Sequence, residues 1–374
     1  MAMNAEDYKR GALLGLAWGD VLGCPVEGWR EHEIEAVYGL YQALPERYPL
    51  SAISEKRRRK LRPLGLHSDD TQQAMALIQV CQSQDGWNDT KWKEILVQGV
   101  ERESWRGVGR NFVQSVRKMA KGKDVKKTGS PSAGMGAAMR VGPAGALYPE
   151  NRELRLRVAL ESSLSTHSDV RAAVFSAVVA SSVAGLIQGN SPKEVLKEVP
   201  YYAEEAEALV AVLEEEGWVI QNRGSTLISE GLRTAYQWAD QPLDTMRQHI
   251  SDFARPHLQK GFTRAHPNQG FVLLGGLHAL LMACRSDAEP NQTLYRIIQL
   301  GFDTDTVCAI AGSILGARFG TDWIPFDRLL DQAIGDYADA LVSGSVPETV
   351  EVFLQREAEW TREERAFQRE IRQF

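Results

Sequence analysis

Apolar residues recur at helical spacing along almost the whole of this chain of 374 residues. Leu13, Leu14 and Ala17 follow this spacing near the start of the chain, and the leucines of residues 273–281 follow it again. Strict alternation of apolar and polar residues, which marks a half-buried strand, is rare. The pattern therefore predicts an all-α fold, a compact multi-helix orthogonal bundle.

No internal repeat and no low-complexity linker divides the chain, so we expect one domain over residues 1–374. Ser191 is expected to cap a helix that has Pro192 at its first position. Residues 40–66 carry the basic run EKRRRKLRP, which is interpreted as a solvated loop that could also attract phosphate. Residues 346–374 are predicted to form a charged C-terminal helix whose aromatic stripe docks on the body or contacts a partner.

The composition excludes some classes of partner. A net charge of -6 leaves no basic footprint for nucleic acid. We expect no signal peptide, because the N-terminal residues lack a basic start followed by an unbroken apolar run. We also expect no stretch of about 18 uncharged apolar residues that could span a membrane. The cysteines lie far apart without a C-x-x-C pair, which favours buried thiols in a cytoplasmic protein. They are Cys24, Cys81, Cys284 and Cys308.

Two short acidic motifs each stand at the expected start of a helix. Residues 68–71 read Ser-Asp-Asp-Thr, and residues 303–306 read Asp-Thr-Asp-Thr before a run of small apolar residues. Helix capping alone explains either motif, because short polar side chains suit a helix N-terminus. Their repetition in one chain suggests instead that two helix N-termini face each other across one site.

Converging carboxylates would need a cation, because four negative charges in one pocket would not stay ionised unneutralised. These carboxylates belong to Asp69, Asp70, Asp303 and Asp305. An all-oxygen set that includes the hydroxyls of Ser68 and Thr306 favours Mg²⁺ or Mn²⁺ over zinc, and the acids suffice for two ions. Glu27 could be a fifth acid on a loop, whereas Asp20 could be either an orienting residue or a helix-surface residue.

Five segments in this order resemble the ADP-ribosylglycohydrolase family, the relatives of dinitrogenase-reductase-activating glycohydrolase, between about residues 10 and 325. They are GLAWGDVLGCPVE, SDDTQQAMAL, GMGAAMR, THSD and DTDTVCAIAGSILGA. The resemblance implies an all-α fold with two Mg²⁺ or Mn²⁺ ions that hydrolyses the N-glycosidic bond between ADP-ribose and a protein side chain, most often arginine. The metal ligands that it implies are Ser68, Asp69, Asp70, Asp303, Asp305 and Thr306.

The resemblance also implies roles in catalysis and substrate binding. Glu27 matches a mobile acid, and Glu27 or Asp305 would be the catalytic base. Residues 132–140 match a glycine-rich loop beside the ribose and diphosphate. His167 matches a position beside the substrate, although the sequence alone favours a packed, hydrogen-bonded histidine. The implied substrate-binding residues of the loop are Gly134, Gly136, Ala137, Met139 and Arg140.

Three positions depart from the family pattern. Met135 replaces the usual asparagine of the glycine-rich loop, Phe302 replaces a usual glycine, and Gly107 stands where some relatives carry an acid. Alternative functions therefore stay open. One is a binding protein without catalysis, and another is an immunity protein that binds and blocks an ADP-ribosyltransferase toxin as well as, or instead of, reversing its modification. A third is hydrolysis of another ADP-ribosyl compound, such as a serine-linked one.

Overall fold

The computed structural model describes residues 5–258 and 264–373, and within these ranges it contains seventeen α-helices and no β-strand. The all-α prediction is confirmed. The first nine helices are α1 (Ala5–Gly23), α2 (Glu31–Tyr38), α3 (Glu55–Arg58), α4 (Asp69–Cys81), α5 (Asp89–Glu101), α6 (Arg110–Ala120), α7 (Gly142–Leu147), α8 (Arg152–Leu164) and α9 (Val170–Ile187). The others are α10 (Pro192–Glu215), α11 (Leu227–Ala235), α12 (Leu243–Ala254), α13 (Leu277–Cys284), α14 (Pro290–Ile298), α15 (Thr304–Phe319), α16 (Ala333–Ser343) and α17 (Val350–Ile371).

The closest helix pair is α1 with α15, and glycine makes that closeness possible. A Cβ atom on Gly15 would lie 2.2 Å from the carbonyl oxygen of Gly312, and one on Gly312 would lie 2.0 Å from that of Gly15. Contacts of the same kind join Gly11 to Gly316 and Gly23 to the first turn of α15. The two backbones therefore touch directly along the length of both helices, which any larger side chain would prevent.

Helix α9 forms much of the core around this pair. By length and composition it could cross a membrane, with a mean hydropathy of 1.9, although the sequence was expected to contain no such stretch. In the structure 94% of the helix is buried, and it packs against α7, α8, α10 and α15. Its apolar character is thus explained by burial in the protein interior.

The two segments singled out for possible partners both pack on the body. Helix α17 docks as predicted, since Phe353 is fully buried and the ring of Phe367 lies 6.1 Å from that of Tyr48. The basic run is not simply solvated, because the side chain of Arg62 is only 5% exposed. Tyr48 Oη donates a hydrogen bond to the carbonyl oxygen of Arg62, which helps to hold this segment against the fold.

Smaller sequence predictions are also confirmed. Ser191 Oγ accepts a hydrogen bond from the Glu194 N–H, and α10 begins with Pro192. The Glu194 carboxylate in turn accepts from the Ser191 N–H at 2.7 Å, which completes a capping box. All four cysteines are buried free thiols.

The contact between α1 and α15 predicts a severe effect of one added methyl group. We expect Gly15→Ala and Gly312→Ala each to lower the free energy of unfolding by about 3 kcal/mol or more, because the new Cβ meets backbone rather than a movable side chain. Gly185→Ala in α9 is the control, since its Cβ would meet only side-chain atoms, the nearest being Val195 Cγ2 at 3.3 Å. Urea unfolding measures all three, and equal losses would contradict the proposed backbone contact.

Candidate active site

Helix α1 positions the start of α4 through one buried carboxylate. Asp20 accepts hydrogen bonds from the N–H of Ser68 at 2.9 Å, the N–H of Thr71 at 3.2 Å and the Oγ1 of Thr71 at 2.6 Å. Cys24 Sγ lies 3.1 Å from the same carboxylate. Asp20 is therefore an orienting residue and not a helix-surface residue, because it satisfies donors at the first turn of α4 that the helix itself leaves free.

The same end of α1 also holds the start of α15. Thr304 Oγ1 donates to the carbonyl oxygen of Gly23 at 2.9 Å, and a Cβ on Gly23 would lie 2.6 Å from Asp305 Cα. The Asp303 N–H donates to the carbonyl oxygen of Asn268 at 3.0 Å. The fully buried Asn268 side chain bonds the carbonyl oxygens of Ile297 and Gly301, so it braces the turn before Asp303.

Glu27 is tied to the same turn. The Gly28 N–H donates to the Phe302 carbonyl oxygen at 2.6 Å, and the Phe302 N–H donates to the carbonyl oxygen of Trp29 at 2.7 Å. The Glu27 side chain is 39% exposed and borders the cavity described next. A carboxylate that solvent can reach thus stands beside the buried acids of α4 and α15.

These elements surround a cavity of about 240 Å³. It brings together acids from three elements and the glycine-rich loop of residues 132–140. The predicted residues that border it are Glu27, Asp69, Asp70, Gly134, Gly136, Met139, His167, Asp303, Asp305 and Thr306. The two acidic motifs therefore meet, although they are separated by more than two hundred residues in the sequence.

Three predicted site residues do not border the cavity. Ser68 Oγ donates to Asp70 Oδ2 at 2.8 Å and accepts from the Asp70 N–H, so it caps α4 and orients that carboxylate. Ala137, within the glycine-rich loop, is fully buried. Arg140 is also buried and donates hydrogen bonds to Gln73, Ser162 and Thr166. Its guanidinium therefore supports the loop, whereas it was predicted from the sequence to lie beside the substrate.

His167 is both packed and placed at the cavity. Its Nδ1 lies 2.9 Å from Thr166 Oγ1, and a Cβ on Gly136 would lie 3.0 Å from its Cε1. Burial, with the nearby Arg140 charge, lowers the pKa of His167 to about 3. The imidazole is therefore neutral at physiological pH and can exchange a hydrogen bond with a ligand without adding charge.

The four aspartates of the acidic motifs resist ionisation in the absence of a cation. Burial and then the charges of neighbouring acids raise the pKa of Asp69 to about 7 and that of Asp303 to about 6. The same causes raise the pKa of Asp70 and of Asp305 well above the ordinary value. Each of the latter two also has one buried carboxylate oxygen, Oδ1, with no hydrogen-bond partner among the described residues.

These orphaned oxygens fit a bound cation. A buried carboxylate oxygen without a partner is costly unless a positive charge satisfies it. The donors available at this place are carboxylates and the hydroxyl of Thr306, which hard divalent cations such as Mg²⁺ and Mn²⁺ prefer. The residues present therefore fit the metal centre expected from the sequence, while the identity and number of the ions stay predictions.

Comparison with known proteins agrees with this geometry. The family model described as ADP-ribosylglycohydrolase matches residues 1–356. The chain belongs to the ADP-ribosylglycohydrolase family. The family is metal-dependent and acts on ADP-ribosylated substrates, so the chain is assigned to the hydrolases.

Individual relatives are distant but cover most of the chain. The protein named ADP-ribosylhydrolase ARH3 of Homo sapiens is 26% identical over 84% of this chain and 86% of its own length. An uncharacterized protein of Archaeoglobus fulgidus is 25% identical over 84% of this chain and 88% of its own. A solved structure titled ADP-ribosylglycohydrolase-related protein complex shares the fold, with a TM-score of 0.62, 22% identity and coverage of 91% of this chain and 99% of that one.

The three departures from the family pattern have structural explanations. Met135 is buried, and its thioether occupies the space that a Cβ on Gly275 would need. Phe302 has a φ of 66°, a conformation that favours glycine, and its ring stacks on His266 at 3.8 Å. Gly107 has a φ of 76°, and a Cβ there would approach Asp69 Oδ1 to 3.0 Å, so no acid fits at this position.

A second acidic cluster lies outside the cavity and is already neutralised. Glu357 contacts His67 Nε2 at 3.3 Å, Arg106 at 2.9 Å and Arg356 at 3.3 Å, while Arg356 also pairs with Asp331 at 3.3 Å. Burial acts to raise the pKa of Glu357, but the neighbouring positive groups outweigh it and hold the pKa well below its usual range. The cluster could accommodate a metal by spacing alone, yet its two arginines supply the charge that a metal would bring.

Some cavity residues were not found from the sequence. Arg110, Asn111 and Phe112 at the start of α6 border the cavity, and Asn111 Nδ2 donates to Ser132 Oγ at 2.9 Å. The sequence does offer a signal for these residues, the Gly107-Val108-Gly109 turn directly before α6. Two nearby glycines permit a close approach of the backbone to a ligand.

Asp20→Asn tests the support of the metal centre. The amide of the new asparagine would place its NH₂ group against the N–H groups of Ser68 and Thr71. We therefore expect the free energy of unfolding to fall by about 2 kcal/mol. We also expect the affinity for Mn²⁺ to fall by about 10- to 100-fold. Asp124→Asn is the control, because Asp124 caps an exposed turn elsewhere. Urea unfolding and calorimetric titration measure the two quantities, and an unchanged Mn²⁺ affinity in Asp20→Asn would refute the orienting role.

The raised pKa values predict an opposite pH response with and without metal. Metal-free folded protein holds protons on Asp69 and Asp303 that the unfolded chain releases, so these groups make the metal-free form lose stability as pH rises from about 4 to about 7. Ion binding requires the ionised form, so the rise in melting temperature caused by Mn²⁺ should grow over the same pH range.

Calorimetric melting with Mn²⁺ and with chelator, at several pH values, measures this difference. The exposed substitution Asp252→Asn should leave the pH dependence unchanged, whereas Asp303→Asn should reduce it. A metal-induced shift that is constant from about pH 5 to about pH 8 would show that these carboxylates do not carry the protons.

Proposed function

We propose that this protein is a cytoplasmic, metal-dependent hydrolase that releases ADP-ribose from modified protein side chains. The observation that supports it is the cavity at which two helix N-termini bring four aspartates together beside a glycine-rich loop. Such a site can hold cations next to a ribose, while the glycine backbone allows a diphosphate to approach closely.

The aspartates Asp69, Asp70, Asp303 and Asp305, with Thr306, would hold two Mg²⁺ or Mn²⁺ ions. When bound, such ions supply positive charge that polarises the oxygen atoms of substrate and water. Ser68 and Asp20 keep the carboxylates in place through the hydrogen bonds at the start of α4. Neutral His167 and the backbone of residues 134–136 would line the substrate.

Glu27 is proposed as the catalytic base in preference to Asp305. Its carboxylate is 39% exposed at the cavity edge, whereas the unpartnered Oδ1 of Asp305 is buried and suits a ligand better. Glu27 takes a proton from water as the water oxygen bonds to C1 of the ribose and the bond from C1 to the acceptor breaks. Glu27 then returns the proton to the departing acceptor atom. The remaining carboxylates would hold the ions.

For the acceptor, arginine was the expectation from sequence, and it stays a prediction. One contact favours an uncharged, oxygen-linked acceptor such as serine. Arg62 Nη2 lies 3.7 Å from Glu27 Oε2, so a departing guanidinium beside Glu27 would approach a second guanidinium. Like charges at such a distance oppose binding in a site with little water.

No contact among the described residues favours the immunity role. That alternative was based on residues 40–66 and on the C-terminal helix, and both segments pack on the body through Tyr48, Phe353 and Phe367. The packing accounts for these residues without a toxin partner.

The test is release of free ADP-ribose from peptides modified on arginine or on serine. We expect release with Mg²⁺ or Mn²⁺, loss with chelator, and a loss of at least about 10³-fold in kcat for Asp303→Ala. Glu27→Gln should lose turnover but keep the rise in melting temperature with Mn²⁺, whereas Asp303→Ala should lose both. Glu35→Gln on the exposed face of α2 is the matched control and should keep both.

The two peptides separate the possible acceptors. Faster release from serine would support the oxygen-linked acceptor, and faster release from arginine would restore the expectation from sequence. Metal-independent release, or normal turnover in Asp303→Ala, would overturn the proposed site. No release from either peptide would refute the proposed function.

A further inference from the structure

A second cavity adjoins the metal centre. It has a volume of about 380 Å³ and shares Glu27 and Gly107 with the first cavity, but it is bordered by neither the glycine-rich loop nor His167. It therefore extends from the acidic end of the site, away from the residues proposed for the diphosphate. A group leaving C1 of the ribose past Glu27 would enter this second cavity.

Positive charge dominates its walls. Five basic side chains border it, against two acids, Glu27 and Glu364. We call this cavity the basic groove. Its basic residues are Arg59, Lys60, Arg62, Arg106 and Arg365. They come from the segment of residues 40–66, from the residues before α6, and from α17. The first and last of these segments have no role in the proposed function, and they meet at this groove.

Arg62 has guanidinium donors that the surrounding side chains do not satisfy. Its side chain is 5% exposed, and its Nε and Nη1 atoms have no hydrogen-bond partner among the described residues. The nearest acids, Glu27 and Glu364, each lie 3.7 Å away, which is too long for a hydrogen bond. A buried guanidinium with unused donors is costly, so the charge of Arg62 favours an anion in the adjoining groove.

Two of the other cations are paired with exposed partners at the surface. Arg365 pairs with the exposed Glu103 and Arg59 with the exposed Glu55, contacts that contribute little to stability and can be exchanged for a ligand. Arg106 is buried and its charge is already paired with Glu357, so it borders the groove without a charge that is free for a ligand. Several arginines around one opening match a doubly charged phosphate better than a single carboxylate.

We infer that the basic groove binds a phosphate group carried on the acceptor side of the bond that is cleaved. The inference rests on the proposed function and makes it more specific, because it names the chemistry of the acceptor beyond the atom that is released. A positively charged acceptor region would be disfavoured by the same residues. The phosphate could belong to a phosphorylated side chain near the modified residue or to an adjoining ADP-ribose unit.

The experiment compares three peptides that each carry ADP-ribose on one serine. One has a phosphoserine two residues away, one has serine there, and one has lysine. We expect kcat/KM to be about tenfold higher for the phosphopeptide than for the serine peptide, and lowest for the lysine peptide. An ADP-ribose dimer, assayed in parallel, shows whether the diphosphate of an adjoining unit uses the same residues.

Arg365→Gln and Lys60→Gln test the groove itself. Each should reduce the ratio of kcat/KM for phosphopeptide to serine peptide by about two- to fivefold, and the double variant should bring it near one. Arg362→Gln is the matched control, since Arg362 lies one turn away on α17, is 60% exposed and does not border the groove. Both α17 residues are on the surface, so all variants should keep the urea midpoint of the parent protein.

Two results would overturn the inference while leaving the proposed function intact. One is equal kcat/KM for the phosphopeptide and the serine peptide in the parent protein, together with turnover of the dimer that Arg365→Gln leaves unchanged. The other is a phosphate preference that Arg365→Gln and Arg362→Gln change alike. If the dimer, and not the phosphopeptide, depends on Arg365, the groove is supported and the phosphate belongs to the adjoining unit. No release from any peptide would refute the proposed function, and the inference with it.

Discussion

The direct backbone contact between α1 and α15 is the constraint on which the rest of the structure depends. Gly15 and Gly312 leave no room for a Cβ, so the two helices can meet in one register only. That register brings Gly23 against Asp305 at one end and Asp20 against Ser68 nearby. A shift of one residue along either helix would push side chains into backbone and would separate the two acidic motifs. Close packing of small residues therefore determines where the charges lie.

This arrangement explains how a folded protein tolerates four buried aspartates. Assembling them costs free energy through burial and mutual repulsion, which is why the pKa values of Asp69 and Asp303 are raised. The rigid helix pair and the hydrogen bonds of Asp20 supply the compensating contacts, so the carboxylates are held in place before any ion arrives. A preorganised site of this kind loses little entropy on binding a cation, and the cation then removes the repulsion.

Local sequence patterns predicted the all-α fold and placed the two acidic motifs at helix N-termini. This was possible because helical periodicity and helix capping involve residues only a few positions apart. The capping box of Ser191 and the docking of α17 were accessible in the same way. The role of Arg140 was misjudged because a sequence does not show whether a side chain points towards a cavity or, as here, away into the core. Asn268 was missed because its bonds to a distant turn depend on tertiary structure and leave no local signal.

Gly107 links the two cavities and shows why the acid of some relatives is absent here. Its left-handed backbone and its closeness to Asp69 exclude a side chain, and the space beyond it is taken by the Arg62 guanidinium. An acid at this position would both repel Asp69 and pair with Arg62, which would quench the charge of the basic groove. With glycine at this position, Arg62 keeps two donors without a hydrogen-bond partner among the described residues, and Gly107 borders both the metal centre and the groove. The glycine at position 107 is thus consistent with the unused donors of Arg62 beside it.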